Sequence, residues 1–288
     1  MFPRPDADGG ALEVAKVADA EGLDLVGIQD HPYQRRFLDT FTLLGWIAAS
    51  TRRVRVFPDV ACLPLRSPAM LAKQAATIDS LSGGRFELGL GAGGFWDAIH
   101  AMGGPRRSPA EALEALEEAI SILRRWWAGE RGIRHHGRHY RLDGVHGGPP
   151  PAHRIEIWLG VYGTRAVELC GRAADGWIPS LPMTDLETLG RRQALLDRAA
   201  REAGRDPGSI RRMLNVAGEI TGSSSRGFLE GPADQWVDQL AELAVDHGFD
   251  TFVLWPRDTD PVGQTARFAA VAQELRRVVG GDQPNSIP

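Results

Sequence analysis

The sequence is poor in cysteine, with only Cys62 and Cys170 among its 288 residues. Each of the two lies within an apolar segment, and they do not belong to a regularly spaced set. This scarcity excludes a disulfide framework and predicts reduced, buried thiols in a cytoplasmic protein.

Long apolar segments and runs of basic residues are also missing. No segment approaches the ~18 consecutive apolar residues that a membrane-spanning helix needs. No run of Lys or Arg exceeds two residues, and the formal net charge is -4. These absences argue against a membrane or a nucleic acid as partner. We therefore expect a small-molecule substrate, or a second copy of the chain, as the partner.

What the sequence does contain is an alternation of apolar strand-like runs with helical patterns. Strands are predicted near residues 23–30, 54–61, 85–91, 155–161, 176–180, 212–221 and 250–256. Helices are predicted near residues 10–21, 39–50, 67–82, 108–128, 163–173, 185–203, 231–247 and 260–279. This rhythm is typical of repeated βα units around a parallel sheet, and the length suits a single domain over residues 1–288.

The element count predicts an α/β protein with a (β/α)8 TIM barrel fold and a truncated first strand. Eight helices but only seven strands are visible, one strand short of the closed barrel. The missing strand should be the first, because the first helix has only Met1 to Pro3 before it to form one. We expect that the chain start has lost most of strand one, through a misplaced start codon or a shortened chain. The polar segment 129–154, rich in His and Gly, is predicted to be a loop or short hairpin excursion.

In a parallel barrel, reactive groups collect where the strands end, at the C-terminal mouth. Asp30 and His31 follow the first visible strand directly, and Tyr33 adds an aromatic wall. This pair is a candidate site for acid and base chemistry. The alternative is that Asp30 caps a turn and His31 is an ordinary surface imidazole.

A glycine-rich turn follows the third visible strand in the segment LGLGAGGFWD. Gly91 and Gly93 allow a planar ligand to approach the backbone, and Phe95 and Trp96 can pack against its rings. A dinucleotide-binding interpretation is weak, because no helix start with a ribose-binding acid follows at the required distance.

A third strand end, in IWLGVYGTRAVEL, combines Gly160, Val161, Tyr162 and Gly163 with a helix that opens at Thr164 and Arg165. Free N–H groups at a helix start, a hydroxyl and a guanidinium form a cradle suited to phosphate. An ordinary βα turn is the alternative.

Other chemistries are poorly supported. Five histidines cluster in and beside the excursion, namely His135, His136, His139, His146 and His153. They lack the spacing of a metal site, so we expect no metal. No nucleophile elbow is present, and the apolar setting of Cys62 predicts inert packing.

Taken together, the motifs resemble the luciferase-like monooxygenase family of flavin- and deazaflavin-dependent oxidoreductases. The resemblance runs from about Phe2 to about Gly280 and is most specific in IDSLSGGRFELGLGAG. It also includes GIQDHPY, IWLGVYGTRAVELCGRAADGWIPSLP and GFDTFVLWP. It implies a barrel that holds an isoalloxazine-type ring at its mouth.

The resemblance also implies roles for individual residues. Asp30 and His31 would lie beside the ring, with His31 as the acid or base near the transferred hydride. A non-proline cis peptide under the ring would fall at Val60–Ala61. The ring and tail would be flanked by Gly91, Gly93 and Phe95, and Tyr162 would also contact the cofactor. The phosphate would be held by Gly160, Val161, Gly163, Thr164 and Arg165. The substrate pocket would be bordered by Tyr33, Phe37, Trp96, Tyr162 and Trp255.

The sequence departs from the family's sugar-phosphate dehydrogenases, which carry a glutamate where this chain has Gly94. That activity is therefore not expected. The Asp30-His31 pair favours coenzyme F420 over FMN, and hydride transfer to or from a small, fairly apolar organic substrate. The alternatives are an FMN-dependent monooxygenase supplied with reduced flavin by a partner reductase, and a binding protein that has lost turnover. The resemblance also implies a homodimer.

Overall fold

The computed structural model describes residues 1–4, 10–222, 224–257 and 260–280. Over these ranges the helices are α1 (Ala11–Ala20), α2 (Thr40–Ser50), α3 (Pro68–Ser82), α4 (Trp96–Ala101), α5 (Pro109–Trp127), α6 (Thr164–Ala173), α7 (Leu186–Glu202), α8 (Ala233–Val245) and α9 (Pro261–Gly280). The strands are β1 (Leu25–Ile28), β2 (Arg55–Pro58), β3 (Ala61–Cys62), β4 (Leu88–Gly91), β5 (Ile133–His136), β6 (Arg141–Val145), β7 (Ile157–Leu159), β8 (Gly176–Trp177), β9 (Arg211–Ile220), β10 (Glu230–Gly231) and β11 (Thr251–Pro256).

The barrel wall is parallel and follows the chain order β1, β2, β4, β7, β8, β9 and β11. Strand β1 pairs with β2, a bridge between Val56 and Phe86 leads toward β4, and β11 pairs with β9. The short strands β3 and β10 pair in parallel with β4 and β9, respectively. All seven predicted strands and all eight predicted helices are thus present, and α4 is the helix that the sequence analysis missed.

Met1 occupies the position of the first strand. Its nitrogen donates to the Gly27 carbonyl at 2.8 Å, and its carbonyl accepts from the Gln29 N–H at 3.0 Å. This is the hydrogen-bond pattern of a parallel strand beside β1. Between β1 and β11, the neighbouring apolar groove has a cavity volume of about 70 Å³ and is lined by Met1, Val26 and Phe268, among others.

Two apolar clusters hold the barrel together. The larger lies mainly between the strands and the surrounding helices. The smaller fills the inside of the barrel with Phe57, Trp158, Ile178 and Met213, which are almost fully buried. We call these four side chains the apolar plug. Each contributes about 2 to 3 kcal/mol by leaving water.

The predicted excursion is a hairpin of β5 and β6 that docks on α5. Ser108 caps this helix with a complete capping box that includes Glu111, as the sequence indicates. Farther along the helix, the Glu118 carboxylate accepts the backbone N–H groups of Arg138 and Tyr140 in the hairpin turn. Glu114 on the same helix also binds Arg138 and His139, so neighbouring glutamates of α5 fix the excursion to the barrel.

The motif IDSLSGGR has a structural role at the opposite end of the barrel from the mouth. The fully buried Asp79 carboxylate accepts the backbone N–H groups of Ala152 and His153. The His153 ring bridges Asp79 at 2.7 Å and Glu87 at 3.0 Å. Hydrogen bonds from these two carboxylates raise the pKa of His153 to about 9. These contacts join α3 to the chain segments that enter β4 and β7.

Both cysteine thiols are free and buried, as predicted. Burial raises the pKa of each to about 12, which keeps the thiols protonated and unreactive. Over the described ranges of the chain, no helix has the length and apolarity required to cross a membrane.

Candidate active site

The inside of the barrel changes from apolar to polar toward the mouth. On four strands or the segments that directly continue them, an apolar side chain that points inward is followed two residues later by a polar or amphipathic one. Alternate residues of extended chain point to the same side. The pairs are Phe57 and Asp59, Ile178 and Ser180, Met213 and Asn215, and Val253 and Trp255. We call Asp59, Ser180, Asn215 and Trp255 the polar layer, which forms the floor of the candidate site above the apolar plug.

Asp59 is the centre of the polar layer. Its carboxylate accepts Nδ2 of Asn215 at 3.2 Å and Nε1 of Trp255 at 3.3 Å. Burial raises the pKa of this carboxyl group, against the opposing effects of the Met1 amino group and of its two hydrogen-bond donors. Asn215 also donates to Ser180, whose N–H donates to the Tyr162 hydroxyl.

The structure contains a non-proline cis peptide bond at Asp59–Val60. The expected position, Val60–Ala61, is therefore wrong by one residue. The sequence suggested one continuous strand over 54–61, but β2 ends at Pro58 and β3 begins at Ala61. The irregular backbone lies between these two short strands, so it starts one residue earlier than expected.

The Val60 side chain packs against two glycines, Gly91 at the end of β4 and Gly160 directly after β7. A Cβ atom at Gly91 would lie 2.7 Å from a Val60 methyl carbon, and one at Gly160 would lie 3.0 Å from both methyl carbons. Any side chain at these positions would displace Val60. The fully buried Ala61 continues the chain into β3. The structure thus brings together Val60, Gly91 and Gly160 from three different segments.

Asp30 is buried at the end of β1 and holds Arg66. Its two oxygens accept from the Arg66 guanidinium, both at 2.7 Å, and one of them also accepts the Cys62 N–H at 2.8 Å. Arg66 in turn binds Asp39, the N-cap of α2. Asp30 therefore orders the loops at the mouth through contacts that the sequence analysis did not anticipate.

His31 lies among aromatic side chains at the mouth. Its Nδ1 is 2.6 Å from the Tyr33 hydroxyl, and its ring centre is 5.6 Å from Phe95 in an edge-to-face arrangement and 6.4 Å from Phe37. Burial lowers the pKa of His31 below its ordinary value, despite the nearby charges of Asp30 and Asp59. The ring is therefore neutral at neutral pH and able to accept a proton.

The glycine-rich turn after β4 runs into the unexpected helix α4. Gly93 has a φ of +100°, and a Cβ atom there would lie 2.6 Å from Pro64 and 2.9 Å from Trp96. This position requires glycine. Phe95 is 64% exposed and Trp96 is half-buried, so Phe95 is the more accessible of the two predicted ring contacts.

The predicted phosphate cradle is an exposed helix start. Gly163 is the N-cap of α6 without a side-chain cap, and Gly163, Thr164 and Arg165 are all exposed. Over the described residues, Arg165 has no ion pair or hydrogen bond of its own. Val161 and Tyr162 are instead tied to the neighbouring strand β8 and the segment after it. The Val161 carbonyl accepts a hydrogen bond from Trp177 Nε1, and the Tyr162 hydroxyl accepts one from the Ser180 N–H. These two residues support the turn from below.

The five histidines near the excursion each have a protein partner. His135, His136 and His139 bind carboxylates, the backbone N–H of Gly132 donates to His146, and His153 lies between Asp79 and Glu87. In the part of the chain that the structure describes, no group of three His, Cys, Asp or Glu side chains is placed to hold a metal ion.

Comparison with known proteins places this architecture among related enzymes. The model of the family described as luciferase-like monooxygenase matches residues 6–226. An F420-dependent glucose-6-phosphate dehydrogenase of Kineococcus radiotolerans is 32% identical over 60% of this chain and 52% of its own length. A protein of the same name from Nocardia farcinica is 30% identical over 71% of this chain and 63% of its own length. The chain thus spans between half and two thirds of these relatives.

Solved structures share the fold over nearly the whole chain. An F420-dependent secondary alcohol dehydrogenase in complex with an F420-acetone adduct superimposes with a TM-score of 0.82 at 18% identity, covering 92% of this chain and 94% of that one. A monooxygenase from Streptomyces bottropensis gives 0.77 at 20% identity, covering 92% and 91%. At such identities the likeness confirms the barrel fold alone.

Proposed function

The chain belongs to the luciferase-like monooxygenase family, and from this premise we propose that it is an oxidoreductase that uses coenzyme F420. In this proposal it transfers a hydride between the deazaflavin and a small, fairly apolar organic substrate. The observation that carries the proposal is the neutral, half-buried His31 ring among aromatic side chains at the barrel mouth. The names of the relatives also favour F420.

The residues at the mouth fit a planar ring with a phosphate-bearing tail. Gly91 and Gly160 carry no side chain beside Val60, and Gly93 keeps the next turn free of one. The helix start at Gly163 to Arg165 offers exposed N–H groups and a cation to the phosphate. When bound, the deazaflavin supplies a ring carbon that takes or gives hydride.

In this proposal His31 exchanges the proton that accompanies hydride transfer, and Tyr33 orients its ring through Nδ1. Asp30 would lie beside the deazaflavin ring, and its pairing with Arg66 orders the loop at the mouth. Tyr33, Phe37, Trp96, Tyr162 and Trp255 border the substrate. Gly94 replaces the glutamate of the family's sugar-phosphate dehydrogenases, so we do not extend the relatives' substrate to this chain.

The test is a fluorescence titration of the purified protein with oxidised coenzyme F420 and, in parallel, with FMN. We expect low-micromolar binding of F420 and at least tenfold weaker binding of FMN. Arg165→Gln should weaken F420 binding about tenfold, because one charge-assisted contact to phosphate is lost. Arg172→Gln, at the other end of the same helix, is the matched control and should bind as the wild type does.

Preference for FMN would replace this proposal with oxygen chemistry and a partner reductase. Tight F420 binding without reduction of any acceptor would instead indicate a binding protein without turnover. A homodimer and a cytoplasmic location belong to the same proposal. Light scattering of the purified protein measures the first, and cell fractionation tests the second.

A further inference from the structure

Among the described residues, the polar layer contains one buried hydrogen-bond acceptor without a donor and, beside it, a buried carboxylate. Asn215 is 2% exposed, and its Oδ1 has no partner among the described residues. Asp59 is 7% exposed, and in the same part of the chain its carboxylate is held by two neutral donors and by no ion pair. A buried acceptor without a donor costs about 1 to 3 kcal/mol, so a ligand that supplies donors here is favoured.

The orientation of the Asn215 amide follows from its neighbours. Its Nδ2 donates both to the Asp59 carboxylate and to Ser180 Oγ, so the nitrogen must face these two oxygens. The Asn215 Oδ1 is consequently the amide atom without a partner, and the nitrogen of the same amide contacts the Asp59 carboxylate. The amide oxygen and the carboxylate therefore form one group of acceptors. A neutral hydroxyl would supply one donor and no charge. A cationic nitrogen supplies N–H donors and a positive charge in direct contact with the carboxylate, whereas the Met1 amino group acts on Asp59 without an ion-pair contact among the described residues.

We propose that Asp59 and Asn215 form a binding subsite for a positively charged nitrogen of the substrate, either a protonated amine or an iminium group. The subsite deepens the proposed function, on which its reaction rests. It lies next to Val60, which packs on Gly91 and Gly160, the residues that fit the ring. The charged nitrogen is therefore held beside the place where hydride is exchanged.

The reaction that this placement suits is hydride transfer between an iminium and an amine. In the reductive direction, the bound reduced deazaflavin would supply a hydride, with both of its electrons, to the iminium carbon. The C=N π pair becomes the nitrogen lone pair, and the product is a neutral amine without any further proton. Asp59 stabilises the charged form and Asn215 Oδ1 accepts its N–H. The reverse reaction is oxidation of the free amine.

The experiment compares benzylamine with benzyl alcohol, which match in shape and differ in charge. Binding is measured by ligand-observed NMR on the full chain without any cofactor. We expect the wild type to prefer the amine at least tenfold, and Asp59→Asn to abolish this preference while leaving the alcohol unaffected. Asp97→Asn removes the same charge from an exposed side chain on α4 and serves as the matched control.

The pH dependence supplies a second measurement on the wild type. Burial raises the pKa of Asp59, so amine binding should weaken as the pH falls through it, whereas alcohol binding should not change. His31 and the Met1 amino group also face this carboxylate electrostatically, and Asp59→Asn separates their titration from its own. If that variant does not fold, Asn215→Leu should lower amine affinity about tenfold.

Equal affinity for the two ligands, or a preference that survives Asp59→Asn, would overturn the subsite. Since no deazaflavin is present in this measurement, its failure leaves the proposed use of F420 standing. Conversely, failure of the protein to bind F420 would leave a positive amine result intact.

Discussion

The buried ion cluster around His153 predicts a stability that depends on pH. The folded protein holds the pKa of His153 at about 9, against an ordinary value of 6.5. At about 1.4 kcal/mol for each pKa unit, this difference corresponds to about 3 kcal/mol. A quarter of the side chain is exposed, so solvent screening reduces the contribution, and we expect about 2 kcal/mol.

The sign follows from the raised pKa. Because the folded state binds the proton more tightly, the contribution is fully present below pH 6.5 and is lost as the pH rises through about 9. His153→Gln should therefore lower the melting temperature by about 4 °C at pH 6. The difference from the wild type should shrink as the pH approaches 10.

The assay is thermal unfolding followed by circular dichroism from pH 6 to pH 10, with His136→Gln as the matched control. His136 also binds an aspartate, Asp143, but both side chains are more than half exposed, so its loss should change the melting temperature little. If the difference between the His153→Gln and wild-type melting temperatures stayed constant from pH 6 to pH 10, protonation of His153 would not be the source of the stabilisation.

Three further predictions concern the site and the scaffold. His31→Gln should lower turnover at least 100-fold with F420 binding retained, whereas His100→Gln on the exposed face of α4 should leave steady-state rates unchanged; equal effects would remove His31 from the chemistry. Gly91→Ala should lower the melting temperature by about 4 °C, because its new methyl group meets a valine side chain at 2.7 Å, while Gly94→Ala has open space and should be neutral in the same scan. Ser108→Ala should cost about 1 kcal/mol in urea unfolding through loss of the capping box, and an unchanged midpoint would show that the cap contributes nothing.

The sequence predicted the order of strands and helices because hydrophobic periodicity and helix caps are local signals. The rule that function collects at strand ends drew attention to Asp30, whose role at the site stays a prediction. It did not single out Asp59, because the predicted strand ran on to residue 61 and so placed Asp59 inside the strand, whereas β2 ends at Pro58. Asn215 offered a clearer signal, as an amide within the apolar run of β9.

The contacts of these residues could not be predicted from the sequence. Whether a strand residue points into the barrel depends on how the strands are staggered around it, and this is set by the assembled fold. The pairing of Asp30 with Arg66 joins residues 36 positions apart and depends on the turn after β3. The motif IDSLSGGR, although it lies in the most specific part of the family resemblance, led to no prediction for Asp79. Its buried carboxylate holds the end of the barrel opposite the mouth by accepting two backbone N–H groups.

The position of Met1 beside β1 has a consequence for how the barrel opens. Over the described residues, β1 and β11 share no backbone hydrogen bonds, and Met1, which lies in the interval, makes two such bonds to the β1 side and none to β11. The circle of main-chain bonds is therefore interrupted at one place. Local opening costs least where the fewest such bonds must break. In hydrogen–deuterium exchange, the amides of β1 that face this interval should therefore exchange sooner than those of β4 and β7. The barrel wall should also open most easily there to admit a molecule of substrate size.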